Sequence, residues 1–142
     1  MRKCNRGRHP EIRDYGREPF VFNIHHATTK NQNFRTALWT GKHLQLTLMS
    51  IPVRSDIGAE MHSDVDQFIR VESGRARVFF GNCRNSLREA GIVRENDAIL
   101  IPAGTWHNIV NIGNSPLKVY SIYAPPQHPF GTVHKTKADA EH

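Results

Sequence analysis

Short runs of alternating apolar and polar residues follow one another along most of this chain. The clearest run covers residues 44–51 and stops at Pro52, and another covers residues 117–123 and stops just before Pro125. A period of two is typical of β-strands with one buried face. Further runs of this kind cover residues 20–24, 67–72, 75–80, 97–101 and 107–112. Glycine, asparagine and proline separate the runs, so the pattern predicts an all-β sandwich or barrel.

Helical periodicity is nearly absent from the chain. No segment keeps a period of 3.6 over three turns, so we predict no major helix and a single helical turn within residues 31–36. The pattern divides the chain into an N-terminal tail (1–18), a β-barrel domain (19–126) and a C-terminal tail (127–142). We expect the C-terminal tail along the surface, where His128 would be a proton shuttle only if the tail covered the barrel mouth.

Length and composition narrow the class of protein. The 142 residues, 38% of them hydrophobic, suit one domain with a core of its own. The chain holds no apolar run long enough for a transmembrane helix, and no apolar stretch typical of a secretory signal follows the N-terminal arginines. Cys4 and Cys83 lie far apart without a CxxC pattern. We therefore expect free thiols and a location in the reducing cytoplasm.

The charge of the chain is concentrated near its N-terminus. Residues 1–18 hold six Lys or Arg against three Asp or Glu, which is +3 of the total net charge of +6. No helix-turn-helix, zinc-finger or RNA-binding motif accompanies these charges. The pattern favours a solvated, flexible basic tail and argues against nucleic acid as a partner.

Four polar residues stand out as candidate metal ligands. Glu60 and His62 are two positions apart, so on a strand their side chains point to the same face. Gln67 begins the next strand-like run, and His107 opens a later one after a Pro-Ala-Gly turn. A carboxylate, an amide oxygen and two imidazoles that converge inside a barrel would suit a divalent transition metal.

The spacing in the first of these segments resembles a motif of the cupin superfamily. That motif reads HxH, three or four residues, Glu, six residues, Gly. Here Glu60-x-His62 is followed by four residues, Gln67, six residues and Gly74. The spacing fits, but Glu60 replaces the usual first histidine and Gln67 replaces the usual glutamate. A second alignment, with His62-x-Asp64 as the pair, leaves the loop to Gln67 one residue too short.

The later segment resembles the second cupin motif. That motif reads Gly, five residues, Pro-x-Gly, two residues, His, three residues, Asn. Here Asn96, Pro102, Gly104, His107 and Asn111 stand at the corresponding positions. Asn96 replaces the first glycine, and asparagine is the next best residue for a turn with positive φ. We expect Asn111 to be structural.

The resemblance, over roughly residues 40–125, implies a jelly-roll barrel (a double-stranded β-helix) of the small single-domain, conserved-barrel type. It implies a divalent metal ion (Zn²⁺, Mn²⁺, Ni²⁺ or Fe²⁺) held by Glu60, His62, Gln67 and His107. One carboxylate among these ligands would leave the site with a net charge of +1, which favours an anionic or enolate-type ligand. Glu60 would be a catalytic base if it were not a ligand.

The resemblance implies an enzyme that binds a small molecule. The metal would act as a Lewis acid on a carbonyl or sugar-acid metabolite during isomerisation, ring opening or lyase chemistry. The alternatives are an iron-dependent dioxygenase and a non-catalytic cupin that binds a small molecule. The resemblance also implies a homodimer in which an N-terminal strand, here residues 20–24, pairs with the partner's sheet.

Overall fold

The computed structural model describes residues 11–141. In chain order, the elements of this part are α1 (Ile24–Lys30), β1 (Arg35–Thr40), β2 (Gln45–Ile51), β3 (Asp66–Ser73), β4 (Arg75–Gly81), β5 (Arg88–Arg94), β6 (Ala98–Ile101), β7 (Trp106–Asn111), β8 (Leu117–Ala124), β9 (Val133–His134) and α2 (Lys137–Ala140).

The strands form two antiparallel sheets with an apolar core between them. The larger sheet has the order β6-β3-β8-β2-β1-β9, and the smaller has the order β5-β4-β7. One core cluster joins residues of both sheets, among them Ile51, Val71, Val78 and Ile109. The prediction of an all-β jelly roll is confirmed, because the alternating runs bury one face of each sheet in this shared core.

A second apolar cluster covers the outer face of the larger sheet. Ala27 of α1 packs there with Leu38, Leu48 and Tyr120. Tyr120 and Tyr123 are an odd number of positions apart on β8 and point to opposite faces, yet both are buried. The central strands are therefore buried on both faces, and β2 has only one partly exposed position.

Residues 20–30 correct the strand and helix predictions. No strand forms over residues 20–24, and the helical turn expected within residues 31–36 lies earlier, as α1. The side chain of Asn23 accepts a hydrogen bond from the backbone N–H of His26 and so caps the helix. Phe20 and Phe22 alternate as in a strand, but they stack on each other beside the sheet. The N-terminal strand expected to reach a partner subunit is therefore not present, while the homodimer stays a prediction.

The two segments outside the barrel both contact it within the described residues. Of the predicted N-terminal tail, residues 1–10 and Cys4 lie outside the described part, and Asp14 is buried against the barrel. At the other end, β9 pairs with β1. The Asp14 carboxylate accepts hydrogen bonds from the Thr40 hydroxyl (2.6 Å) and the Gly131 N–H (2.9 Å), which ties the two segments together.

Gln45 holds the start of the C-terminal segment. Its Oε1 accepts from the backbone N–H groups of Gln127 (3.1 Å) and His128 (2.9 Å), and its Nε2 donates to the His128 carbonyl (2.8 Å). The Lys137 ammonium pairs with Asp56 further along. The expectation of a surface position is wrong for His128, because these bonds turn its side chain inward, where its Nε2 is buried.

None of the helices between residues 11 and 141 has the length and apolar character needed to cross a membrane.

Two glycines of the cupin motifs allow a matched test of the fold. Gly74 has φ +107°, and a Cβ there would lie 3.1 Å from the Leu117 Cα, whereas Gly104 has φ +84° and nothing within 4 Å. We expect Gly104→Ala to cost about 1 kcal/mol from backbone strain alone, and Gly74→Ala at least about 2 kcal/mol because strain and overlap add. Urea unfolding measures both. An equal loss in the two variants would show that the contact with Leu117 contributes nothing.

Candidate metal centre

The backbone holds Glu60 against the start of β7. Glu60 and His107 form an antiparallel bridge, with the Glu60 N–H 3.0 Å from the His107 carbonyl and the His107 N–H 2.9 Å from the Glu60 carbonyl. The carbonyl of His62 accepts from the Gly104 N–H at 2.8 Å. The segment with the first motif is therefore fixed to the segment with the second, as the spacing of both predicts.

The side chains of these residues form a compact group of three potential ligands. The Glu60 Oε1 lies 3.1 Å from the His62 Nε2 and 3.8 Å from the His107 Nε2. One ligand atom from each residue lies within 4.8 Å of the other two. Donors that share one ion at about 2.0–2.2 Å are separated by at most about 4.4 Å, so a small shift would bring all three onto one metal.

His107 has the orientation and proton state of a metal ligand. Its ring is fully buried, and its Nδ1 lies 3.0 Å from the Thr105 carbonyl, to which it donates. The lone pair is therefore on Nε2, which is buried without a hydrogen-bond partner among the described residues. Burial lowers the pKa of His107, although the bond to Thr105 and the charge of Glu60 oppose this. A neutral imidazole with a fixed tautomer and a free buried nitrogen fits a divalent metal.

Glu60 supplies the negative charge of the group. Its burial would raise the pKa of this carboxyl, but the hydrogen bond from His62 and the charge of Arg35 outweigh that effect and lower the pKa. The Arg35 NH2 approaches the Glu60 Oε2 to 3.9 Å, too far for a hydrogen bond. Glu60 is therefore ionised at neutral pH and presents a carboxylate oxygen to the two histidines.

Gln67 lies on β3, buried in the larger sheet. Its Nε2 donates to the Ser121 hydroxyl at 3.3 Å, and its Oε1 is buried without a hydrogen-bond partner within residues 11–141. An oriented amide with an unused oxygen suits a neutral ligand. The structure brings Glu60, His62 and His107 together, and the role of Gln67 as a fourth ligand stays a prediction. Asp64, the other member of the alternative pair, is exposed and outside the group.

A cavity of about 530 Å³ opens beside this group. Its lining includes Arg35 from β1 and His128 and His134 from the C-terminal segment. The sequence predicted neither Arg35 nor His134 at the site, and it placed His128 there only if the tail covered the barrel mouth. Burial lowers the pKa of His128 to about 3, with the charge of Arg35 acting in the same direction. The local sequence around His134 gave no signal for this position, because contacts with distant parts of the chain bring both histidines here: the bonds of Gln45 hold His128, and the pairing of β9 with β1 holds His134.

Tyr123 lies beneath the histidines. Its ring is 5.7 Å from the His62 ring and 5.2 Å from the His128 ring, both in edge-on arrangements. Burial raises the pKa of the phenol to about 12, so it stays protonated at neutral pH.

Comparisons with known proteins agree with this fold and its motifs. The model of the cupin domain family matches residues 47–123. The uncharacterized protein YrkC of Bacillus subtilis is 56% identical over 140 residues, which are 99% of this chain and 75% of that protein. The crystal structure of BH2720 from Bacillus halodurans has a TM-score of 0.90 and 59% identity, and covers 92% of this chain and 98% of that one.

A more distant structure shares the fold alone. KdgF from a Halomonas species has a TM-score of 0.54 and 19% identity, over 66% of this chain and 80% of that one. The family match includes the first-motif segment and β7, which carries His107. In the structure the two lie side by side. This chain belongs to the cupin domain family.

Proposed function

We propose that this protein is a metal-dependent enzyme that acts on a small carbonyl or sugar-acid metabolite. The observation that carries the proposal is the His107 Nε2, which is buried, has no partner among the described residues and lies 3.8 Å from the Glu60 carboxylate. Glu60, His62 and His107 would hold the ion, with Gln67 as the fourth ligand. One carboxylate and two imidazoles suit Zn²⁺, Mn²⁺, Ni²⁺ or Fe²⁺.

The bound ion would supply Lewis acidity, which polarises a carbonyl or carboxylate oxygen and favours an enolate-type charge distribution. The protein's own groups would divide the remaining tasks. Thr105 keeps His107 in one tautomer. The ionised Glu60 has a second oxygen, Oε2, whose approach to Arg35, at 3.9 Å, is too long for a hydrogen bond. Glu60 would accept a proton through that oxygen if it were not a ligand, and the buried Tyr123 would remain a neutral donor.

Some solved neighbours that share the fold are named as enzymes. They include a predicted oxalate decarboxylase from Thermotoga maritima and an oxalate decarboxylase–formate complex from Lactobacillus farciminis, at 16% and 20% identity. The reaction of this protein does not follow from theirs, because identity at that level shows the fold alone.

One observation favours a second candidate function, an iron-dependent dioxygenase. The three residues brought together are two histidines and one carboxylate, the ligand set of many non-haem Fe(II) oxygenases. Gln67 would decide between the two enzymes: as a fourth ligand it would take a position that an oxygenase leaves open. The third possibility, a non-catalytic cupin that binds a small molecule, would need no metal.

Elemental analysis tests the proposal. We expect about one metal ion per chain in protein purified without a His tag or a chelator. The identity of this metal distinguishes the Lewis-acid enzyme from the dioxygenase. Zn²⁺ or Mn²⁺ together with exchange of the α-proton of keto acids, followed by NMR, would support Lewis-acid chemistry. Fe²⁺ with oxygen consumption would support the dioxygenase instead.

Glu60→Gln, with the exposed Glu95→Gln as its control, tests the ligand set in the same measurement. The loss of the carboxylate charge should lower the metal content in the first variant and leave it unchanged in the second. A wild type that holds no metal, and takes up none of the four ions when they are added, would contradict both enzyme proposals.

A further inference from the structure

The C-terminal segment, residues 125–141, lies outside the part of the chain that matches the family and forms one wall of the site's cavity. The family match ends at residue 123. Gln127, His128, Thr132 and His134 nevertheless line the cavity that Glu60 and His62 also line. The residues that meet a ligand are therefore shared between the barrel and a segment added to it.

Arg35 lies where this wall meets the barrel, and among the described residues no carboxylate lies within hydrogen-bond distance of it. Only 4% of the residue is exposed. Its NH1 is 3.2 Å from the His134 Nδ1, its NH2 is 3.9 Å from the Glu60 carboxylate, and its Nε has no hydrogen-bond partner among the described residues. NH2 also contacts the Met49 Sδ at 3.9 Å. A buried guanidinium is costly unless a carboxylate or another anion satisfies it, and these contacts leave its charge incompletely neutralised.

The histidines of the segment add polar atoms around the guanidinium. Because Arg35 can only donate, the Nδ1 of His134 is the acceptor, and its proton is therefore on Nε2. The His128 Nε2 is buried without a partner within the described residues, while its backbone is held by Gln45. Glu60 is the one anionic residue among those that line the cavity, and it already accepts from His62.

We propose that Arg35, His128 and His134 form a subsite for the carboxylate group of a small organic acid, beside the metal centre. A planar guanidinium fork matches a carboxylate. Of the cavity-lining residues, Arg35 is the only one with a permanent positive charge, which suits a singly charged carboxylate better than a doubly charged phosphate. The inference deepens the proposed function and rests on it for the reaction, but the subsite itself needs no metal.

Calorimetry on the full chain, with metal removed by a chelator and the chelator then dialysed away, tests the subsite. The probes are acetate, lactate and malonate, each compared with its uncharged amide. We expect saturable binding of at least one carboxylate and binding at least about tenfold weaker for its amide, because the charged hydrogen bonds are lost. Equal binding of acid and amide, no binding of any acid, or tighter binding of inorganic phosphate would overturn the proposal.

Substitutions locate the binding. Arg35→Gln should weaken carboxylate binding at least about tenfold, Arg35→Lys should restore part of it, and the exposed His43→Ala should change nothing. Since Arg35→Gln removes a buried group, circular dichroism must show that it folds. If it does not fold, the carboxylate affinities of His128→Ala and His134→Ala test the subsite instead. Unchanged affinity in both variants would overturn the proposal.

The metal content of the same preparations separates this subsite from the proposed function. Carboxylate binding in a protein that takes up no metal would keep the subsite and contradict the enzyme. Metal binding without carboxylate binding would keep the proposed enzyme and overturn the subsite.

Discussion

His107→Ala is expected to abolish metal binding while leaving the barrel folded. His107 supplies a fully buried imidazole nitrogen to the site, with its lone pair fixed by the bond to Thr105. Loss of an outer partner of a ligand already costs about 10–100-fold in metal affinity. Loss of the ligand itself should cost more, so the metal content should fall from about one ion per chain to below about 0.1. Elemental analysis after dialysis measures this.

Two further variants calibrate that result. The exposed His43→Ala removes an imidazole elsewhere and should retain the metal. Gln67→Ala removes the predicted neutral ligand and should also lose metal if Gln67 completes the set. A folded His107→Ala protein that still holds one ion per chain would show that the metal binds elsewhere.

Asn111→Ala is expected to be among the most destabilising polar substitutions in this chain. The side chain is buried at the end of β7, where its Nδ2 donates to the carbonyls of Ile51 and Ser115, each at 3.0 Å, and its Oδ1 accepts from the Gly113 N–H at 2.9 Å. Alanine would leave these backbone groups unsatisfied. We expect a loss of about 2–4 kcal/mol in the free energy of unfolding and a Tm lower by about 10 °C.

Asn114→Ala is the matched control for that experiment. Asn114 follows in the adjacent turn and is exposed, so its removal should change stability by less than about 0.5 kcal/mol. Urea unfolding and calorimetry apply to both variants. Equal stabilities would mean that the bonds of Asn111 contribute nothing beyond what water supplies, and that its structural role at the second motif is wrong.

Local alternation of apolar and polar residues was enough to predict six of the nine strands between residues 11 and 141, namely β2, β3, β4, β6, β7 and β8, but not β1, β5 or β9. The period of two fixes which face of a strand is buried, and the turn residues limit where each strand ends. Asn96 shows how far this reaches: it was expected to tolerate a left-handed turn in place of glycine, and its φ is +77°. The spacing of the two motifs suggested that Glu60 and His62 would meet His107, and the bridge between Glu60 and His107 joins these segments.

The remaining features depend on contacts between distant parts of the chain. The alternation of Phe20 and Phe22 predicts a strand, but these rings pack on a finished sheet, and Asn23 starts a helix instead. Arg35 falls within the helical turn expected over residues 31–36, but it begins β1 and is buried. It is buried because residues almost a hundred positions later fold over it, and no periodicity within β1 carries that information.

The attachment of the C-terminal segment would make the choice of ligand separable from the proposed metal centre. Glu60, His62 and His107 belong to the barrel, whereas His128 and His134 come from one contiguous stretch held by Gln45 and β1. A chimaera that carries residues 125–141 of a relative should therefore keep the three proposed metal ligands and change the proposed preference among acids. Divergence confined to this stretch would then produce new specificities without altering those ligands.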